Sequence, residues 1–184
     1  THTLPRAHSC ASTIDLSGHG LTTLDLTTKD SDGKLWDFDE PEMRARALER
    51  VRKDRPMLLI GSPMCTAFST WQRVNNKFRD PVTVAAEKRR AVMHVEFCVE
   101  LYREQIRHGR YFLHEHPAGA TSWVLESVRR VQSRDQVERV TGDQCQFGQS
   151  DDKGNPIRKR TGWMSNSPCM LKRLKYMCNG KGGN

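Results

Sequence analysis

The sequence predicts an α/β domain in which helices cover both faces of a mostly parallel sheet, giving three layers. First, β-prone and amphipathic helical segments alternate along the chain, in the order strand, helix, strand, helix, strand, helix, strand. That alternation is typical of parallel sheets, since the chain crosses over a helix between parallel strands. Second, residues 57–60 form a continuous apolar run, as expected for a strand buried on both faces. Third, 184 residues are enough for one domain with its own core.

The first part of the chain contains a predicted strand, a helix and a second strand. Residues 22–26 alternate in polarity and are β-prone, which predicts a short strand. Residues 41–53 begin with proline, carry an early glutamate and end in cations, as a helix dipole favours. Apolar residues recur there every four positions, which predicts a buried stripe of Met43, Ala47 and Val51. Residues 55–61 end in glycine and form the second strand, and a loop is predicted over 62–70.

The remaining elements follow the same alternation. Further helices are predicted over residues 81–108, 121–132 and 168–175. Gly109 directly follows the longest of them, as a helix C-terminus favours. Further strands are predicted over residues 110–114, 136–140 and 160–164. We expect one domain over residues 1–178, followed by a glycine-rich tail over 179–184.

Composition narrows the class of protein. Thirty Lys and Arg against 22 Asp and Glu give a net charge of +8, which favours a polyanionic partner such as nucleic acid. No apolar run approaches the roughly 18 residues of a membrane span, and the first residues lack a signal pattern. The six cysteines are scattered without a Cys-x-x-Cys pair, which favours reduced thiols in an intracellular protein, nuclear or cytoplasmic.

The loop after the second predicted strand is the first candidate for chemistry. Cys65 follows Ser62 and Pro63 at the carboxyl end of a buried strand, where ligands bind in open α/β sheets. Backbone N–H groups and nearby cations at such a position would lower the pKa of a thiol and make it nucleophilic. The alternative is a small buried side chain at a strand end.

The strand that follows the longest helix ends in His-Glu-His. Glu115 at the end of a buried strand needs either a partner or a function, and one alternative is that it caps a neighbouring helix. His114 and His116 are two residues apart, so both face one side of a strand while Glu115 faces the other. A metal-dependent hydrolase using these three residues is therefore a further hypothesis, although no other ligand can be named.

Together these segments resemble the cytosine-5 methyltransferases. That family has a Pro-Pro-Cys-Gln loop, then Glu-Asn-Val on the next strand, then Gln-x-Arg-x-Arg. Here the counterparts are residues 62–65 (SPMC) followed by Phe68 and Ser69, residues 115–117 (EHP), and Arg158 with Arg160. Met64, Thr66 and His116-Pro117 depart from the family pattern. The chain also resembles the methyltransferase-like segments of some retroelement polyproteins, which share residues 145–148 (CQFG).

The resemblance implies a Rossmann-like fold that uses S-adenosylmethionine as cofactor. Its candidate cofactor-binding residues are Asp25, Asp37, Phe38, Ser62 and Pro63, of which Asp37 and Phe38 lie where the family approaches the cofactor adenine. Residues 15–20 resemble the family's glycine-rich cofactor loop but are one residue short and leave little room before Asp37, so we interpret them as a chance match. There is also no room for a separate target-recognition domain, so a protein partner is one possible source of missing elements.

The implied chemistry is a covalent attack on cytosine. Cys65 would add to C6, and Glu115 would bind the N3 and amine edge, which activates C5 for methylation. Arg158 and Arg160 would hold Glu115 or phosphates, unless they form a solvated basic turn. Other cations (Arg129, Arg130, Lys172, Arg173, Lys175) would contact the DNA or RNA backbone, and Trp71, Trp123 and Trp163 would either stack on bases or lie in the core. The alternative function is an inactive, methyltransferase-like module that binds nucleic acid or protein, possibly a fragment of a retroelement polyprotein.

Overall fold

The computed structural model describes residues 22–70 and 72–179. The chain divides into two compact units, Thr1–Arg55 and Pro56–Asn184, and each is considered by itself. The predicted cofactor-loop match at residues 15–20, Trp71 and most of the predicted tail lie outside the described residues.

Helix α1, Pro41–Asp54, dominates the described part of the first unit. Met43, Ala47 and Val51 are its buried residues, which confirms the predicted stripe. The helix ends at Asp54 and is capped by Arg55, which has a left-handed backbone (φ 48°). The Arg55 N–H donates to the Val51 carbonyl.

The strand predicted over residues 22–26 was wrong, because this segment forms a turn. The carboxylate of Asp25 accepts from the Thr27 backbone N–H at 2.7 Å, and the Asp25 carbonyl accepts from the Thr28 N–H at 3.0 Å. Such local hydrogen bonds offer the backbone an alternative to a strand ladder.

The described part of the second unit is built on a four-stranded sheet. Its strands are β1 Leu58–Gly61, β2 Tyr111–Pro117, β3 Glu138–Asp143 and β4 Arg160–Ser165, in the spatial order β1-β2-β4-β3. The α/β class is therefore confirmed. The pairing is mixed, since β1 and β2 are parallel while β4 runs antiparallel to both β2 and β3. β3 connects to β4 through a short helical turn and a loop, and antiparallel neighbours need no helical crossover.

The helices of this unit follow the predicted order, except that the short helix Gln72–Asn75 was not predicted. In the described residues they are α2 Gln72–Asn75, α3 Pro81–Arg107, α4 Glu126–Gln132 and α5 Pro168–Leu174. Asp80 caps α3 by accepting from two backbone N–H groups of its first turn. The helix predicted over 121–132 is divided, since the 3₁₀ turn Thr121–Val124 precedes α4 and Leu125 between them is extended.

The side chains of β2 alternate between the two faces of the sheet. Phe112, His114 and His116 are fully buried, and they contact Tyr102 of α3 and Trp123. Tyr102 stacks on Phe112 with ring centroids 4.6 Å apart. Glu115 therefore points to the opposite face, as its position between the two histidines predicts. Among the described residues no helix is long and apolar enough to span a bilayer.

Candidate functional site

The carboxyl ends of β1 and β2 bring two predicted site residues into contact. The parallel register pairs Gly61 with His114, so the next residues, Ser62 and Glu115, are neighbours. The Ser62 hydroxyl donates to Glu115 Oε2 at 2.7 Å, across 53 residues of sequence. The loop that carries Cys65 and the strand that carries Glu115 are thus joined at the sheet edge that the carboxyl-end rule selects.

Two further side chains hold the other oxygen of Glu115. Gln144, which directly follows β3, donates through Nε2 to Oε1 at 3.2 Å. The Lys159 ammonium lies 3.7 Å from the same oxygen, and the Glu115 side chain is 13% exposed. The carboxylate is therefore fixed by an hydroxyl, an amide and a cation. The sequence analysis missed Gln144 and Lys159, because only the strand order places β4 beside β2 and β3 beyond it.

The arginines predicted to hold Glu115 contact a different carboxylate. Arg158 and Arg160 lie 3.4 and 3.6 Å from the oxygens of Asp143, whose side chain is fully buried. Residues alternate along an extended segment, so 158 and 160 point away from the side to which Lys159 points. The cation that contacts Glu115 is therefore Lys159, which lies between the two arginines in the sequence.

Asp143 is stabilised as a carboxylate. Burial alone would raise its pKa, but the Cys178 backbone N–H, which donates at 2.8 Å, and the two guanidinium groups outweigh burial, so the pKa lies below its ordinary value. Because Cys178 lies close to the end of the described chain, this carboxylate also ties that segment to β3.

Packing beneath the Cys65 loop holds it in place. Cys65 is half-buried and immediately precedes the 3₁₀ turn Thr66–Phe68, and its carbonyl accepts from the Phe68 N–H at 2.9 Å. Phe68 is fully buried and packs edge-on against His116, 5.6 Å between centroids. The Lys88 ammonium lies 3.8 Å from the Phe68 ring centroid. Cys65 is therefore presented by a turn that is anchored in the core.

The two histidines of β2 are neutral core residues. Burial, His116 and Arg139 lower the pKa of His114 to about 3, and its Nδ1 shares a 2.8 Å hydrogen bond with the Tyr102 hydroxyl. Burial is also the largest cause that lowers the pKa of His116, and Nδ1 of that ring is hydrogen-bonded to the Ser122 hydroxyl. Among the described residues no group of three or more His, Cys, Asp or Glu is arranged to hold a metal ion, which leaves the metal-hydrolase hypothesis without support.

The candidate cofactor residues of the first unit differ in the contacts that their carboxylates make. Thr27 binds the Asp25 carboxylate through its N–H and its hydroxyl, which lowers the pKa of Asp25 and uses the carboxylate within an exposed turn. Asp37 accepts from the Asp39 N–H through Oδ1, and Oδ2 takes no part in that bond. Phe38 presents an aromatic ring beside it, tilted against Trp36 at 6.5 Å. The Asp25 carboxylate is therefore used within its own turn, whereas one oxygen of Asp37 lies outside the bond with Asp39.

The structure bears on the expectation that the cysteine thiols are reduced. Cys65, Cys98, Cys145 and Cys178 are free. Cys169 is disulfide-bonded, so the expectation of free thiols was wrong at that position. The absence of a Cys-x-x-Cys pair does not exclude a bond between cysteines that are distant in sequence.

The fold and the site define a class: an α/β domain with a half-buried thiol and a fixed carboxylate at the carboxyl ends of adjacent parallel strands. No protein-family model, curated protein or solved structure matches the chain. Its function must therefore be argued from the site.

Proposed function

We propose that this protein is an S-adenosylmethionine-dependent methyltransferase that acts on C5 of cytosine in nucleic acid. Cys65 is the nucleophile and Glu115 binds the base. The observation that carries the proposal is the 2.7 Å hydrogen bond between Ser62 and Glu115, since it ties the Cys65 loop to the acid. The proposed fold is a three-layer Rossmann-like core, consistent with the common direction of β1, β2 and β3.

Cytosine C5 is a poor nucleophile until C6 carries a covalent adduct, so the reaction needs a thiol and an acid on one base. The Cys65 thiolate gives its electron pair to C6. The C5=C6 π electrons shift towards C4 and N3, and N3 takes a proton that Glu115 has taken up from solvent on binding the base. Ser62 and Gln144 keep the carboxyl group in position for this transfer by binding one oxygen each.

S-adenosylmethionine, when bound, would supply the methyl group that C5 takes up. A base then removes the C5 proton, its electron pair re-forms C5=C6, and the Cys65 thiolate leaves. Glu115 recovers its proton from N3, so the enzyme returns to its starting state. Asp37 and Phe38 would hold the adenosine part of the cofactor, and Ser62 and Pro63 remain candidates at the Cys65 loop.

Nucleic acid is the partner that the charge favours. The net charge is +8, and Arg158, Arg160 and Lys159 form a cationic segment whose middle residue contacts Glu115. The target base must be single-stranded or leave the duplex to reach Glu115. We also propose that the protein acts in the nucleus or the cytoplasm.

Calorimetric titration with S-adenosylhomocysteine tests the cofactor half. We expect micromolar binding that Asp37→Ala abolishes. The matched control is Asp54→Ala, since Asp54 is an exposed aspartate that pairs with Arg50 on α1. No binding at millimolar ligand by a folded protein would overturn the enzyme proposal.

Trapping on an oligonucleotide that contains 5-fluorocytosine tests the base half. Fluorine at C5 cannot be removed as a proton, so the Cys65 adduct persists after methyl transfer and survives denaturation. Cys65→Ser should abolish the adduct, whereas Cys145→Ser, at another half-buried free thiol, should retain it.

A second candidate is a methyltransferase-like module that binds nucleic acid without catalysis. The observation that favours it is the position of Asp25, whose carboxylate is used within a turn instead of ending a strand. Oligonucleotide binding without an adduct and without S-adenosylhomocysteine binding would select this candidate.

A further inference from the structure

An open cavity of about 650 Å³, more a surface depression than an enclosed pocket, lies on the face of the sheet opposite α3. Its lining comes from the turn after β3, from β4 and from α5: Gln144, Phe147, Gly148, Gln149, Ser150, Trp163 and Leu174. Met164 is fully buried in the core cluster with α3, so Trp163, the preceding residue of β4, faces the other way. The volume is in the range of small-ligand sites.

The cavity joins aromatic surface to hydrogen-bonding groups. Phe147 is 46% exposed, and the half-buried indole of Trp163 has a buried Nε1–H without a hydrogen-bond partner in the described residues. Gln144, Gln149 and Ser150 add amide and hydroxyl groups to the lining. Flat aromatic surface beside amide donors and acceptors suits a planar, polar-edged ring such as a nucleobase.

Exposed cations lie next to Leu174 in the sequence, within α5 and just after it. Leu174 lines the cavity, and its neighbours Lys172, Arg173 and Lys175 are exposed and form no ion pair with a described residue. Cations that are free to bind phosphate, next to an aromatic surface, are the combination with which proteins bind single-stranded nucleic acid.

The cavity is also connected to Glu115. Gln144 lines the cavity and donates to Glu115 at 3.2 Å. Trp163 is the direct register partner of Glu115 across β2 and β4. A base in the cavity would therefore lie next to the site at which Glu115 is held.

We propose that this cavity is a nucleobase pocket for single-stranded nucleic acid. One base stacks on Phe147 and Trp163, while Lys172, Arg173 and Lys175 contact the phosphates beside it. The pocket rests on the proposed function in taking nucleic acid as partner, but it does not require chemistry at Cys65.

Fluorescence anisotropy with labelled single-stranded DNA and RNA 12-mers tests the pocket. Loss of one base–aromatic stack predicts that Phe147→Ala raises Kd by roughly 5- to 100-fold. Phe147→Tyr should restore binding, because it keeps the ring. Phe78→Ala is the matched control, since Phe78 is 87% exposed and lies outside the pocket. Equal effects of Phe147→Ala and Phe78→Ala would overturn the proposal.

The salt dependence of Kd tests the cations. Lys172→Ala with Arg173→Ala should reduce the slope of log Kd against log salt by about 1.4, that is about 0.7 for each phosphate contact to a single strand. Arg89→Ala on α3 is the control on the other face of the sheet. An unchanged slope in the double variant would remove these cations from the interface.

Failure of this proposal can be told apart from failure of the proposed function. If wild-type protein forms the 5-fluorocytosine adduct but Phe147→Ala leaves binding unchanged, the pocket is refuted and the methyltransferase proposal stands. If no adduct forms but Phe147→Ala weakens binding, the pocket stands without catalysis.

Discussion

Gly61, the last residue of β1, offers a test of how the site is built on the core. A Cβ at Gly61 would overlap the Tyr102 hydroxyl and lie 2.9 Å from its Cζ, where ordinary contacts begin near 3.4 Å. Tyr102 cannot move aside freely, because it stacks on Phe112 and shares a hydrogen bond with His114. Overpacking of this kind costs about 1–3 kcal/mol, and the fixed partner favours the upper end, about 3 kcal/mol.

Urea unfolding of Gly61→Ala measures this cost. With a slope of about 2 kcal/mol/M, a loss of about 3 kcal/mol lowers the midpoint by about 1.5 M. Gly119→Ala is the control, because a Cβ there meets nothing within 4 Å. Adding Tyr102→Phe should recover part of the loss, since it removes the overlapping oxygen. Equal midpoints for Gly61→Ala and Gly119→Ala would refute the argument.

Three further predictions concern the site and its charges. Ser62→Ala should slow trapping on 5-fluorocytosine at least several-fold while leaving the urea midpoint within about 0.5 M, since it removes one donor from Glu115 at a sheet edge; an unchanged trapping rate would contradict the role given to Ser62. The pKa of Asp143 is lowered, so its contribution is present above its unfolded pKa, near 4, and is lost as the pH falls below that. Asp143→Asn should therefore be less stable than wild type at pH 7, with a difference that shrinks towards pH 3, and a constant difference in urea midpoint would contradict this. The pKa of His114 is about 3 in the folded protein and near 6.5 in the unfolded chain, so between these values only the unfolded chain binds the proton and stability falls as the pH falls. His114→Gln should flatten this pH dependence of the urea midpoint. An unaltered slope of midpoint against pH would argue against a buried neutral ring.

Segments in which apolar residues recur at a regular spacing were predicted well. The four-residue spacing of Met43, Ala47 and Val51 identified α1 and its buried side, since a helical stripe needs only local sequence. The apolar run ending at Gly61 identified β1, and the rule on carboxyl ends brought the Cys65 loop to Glu115. The expectation that this strand is buried on both faces was wrong, because β1 lies at the edge of the described sheet and exposes Leu58 and Ile60.

Features that depend on partners distant in sequence were not predictable. Residues 22–26 carry a strand-like pattern, but Asp25 and Thr28 form local bonds, and none of the described strands pairs with the segment. Arg158 and Arg160 matched a motif, yet the insertion of β4 between β2 and β3 aims Lys159 at Glu115 instead. Strand order decides such contacts, and it is not encoded in the period of any one segment.

Successive side chains of β2 face opposite sides of the sheet, so neighbouring positions of this strand are under different selective pressures. Even-numbered positions from 112 to 116 lie in the core, so a substitution there reduces the amount of folded protein in the cell. Glu115 between them faces the other side and can change without a comparable loss of folded protein. Substitutions at Glu115 can therefore alter the proposed activity while the fold is retained, one residue away from positions at which substitutions destabilise the core.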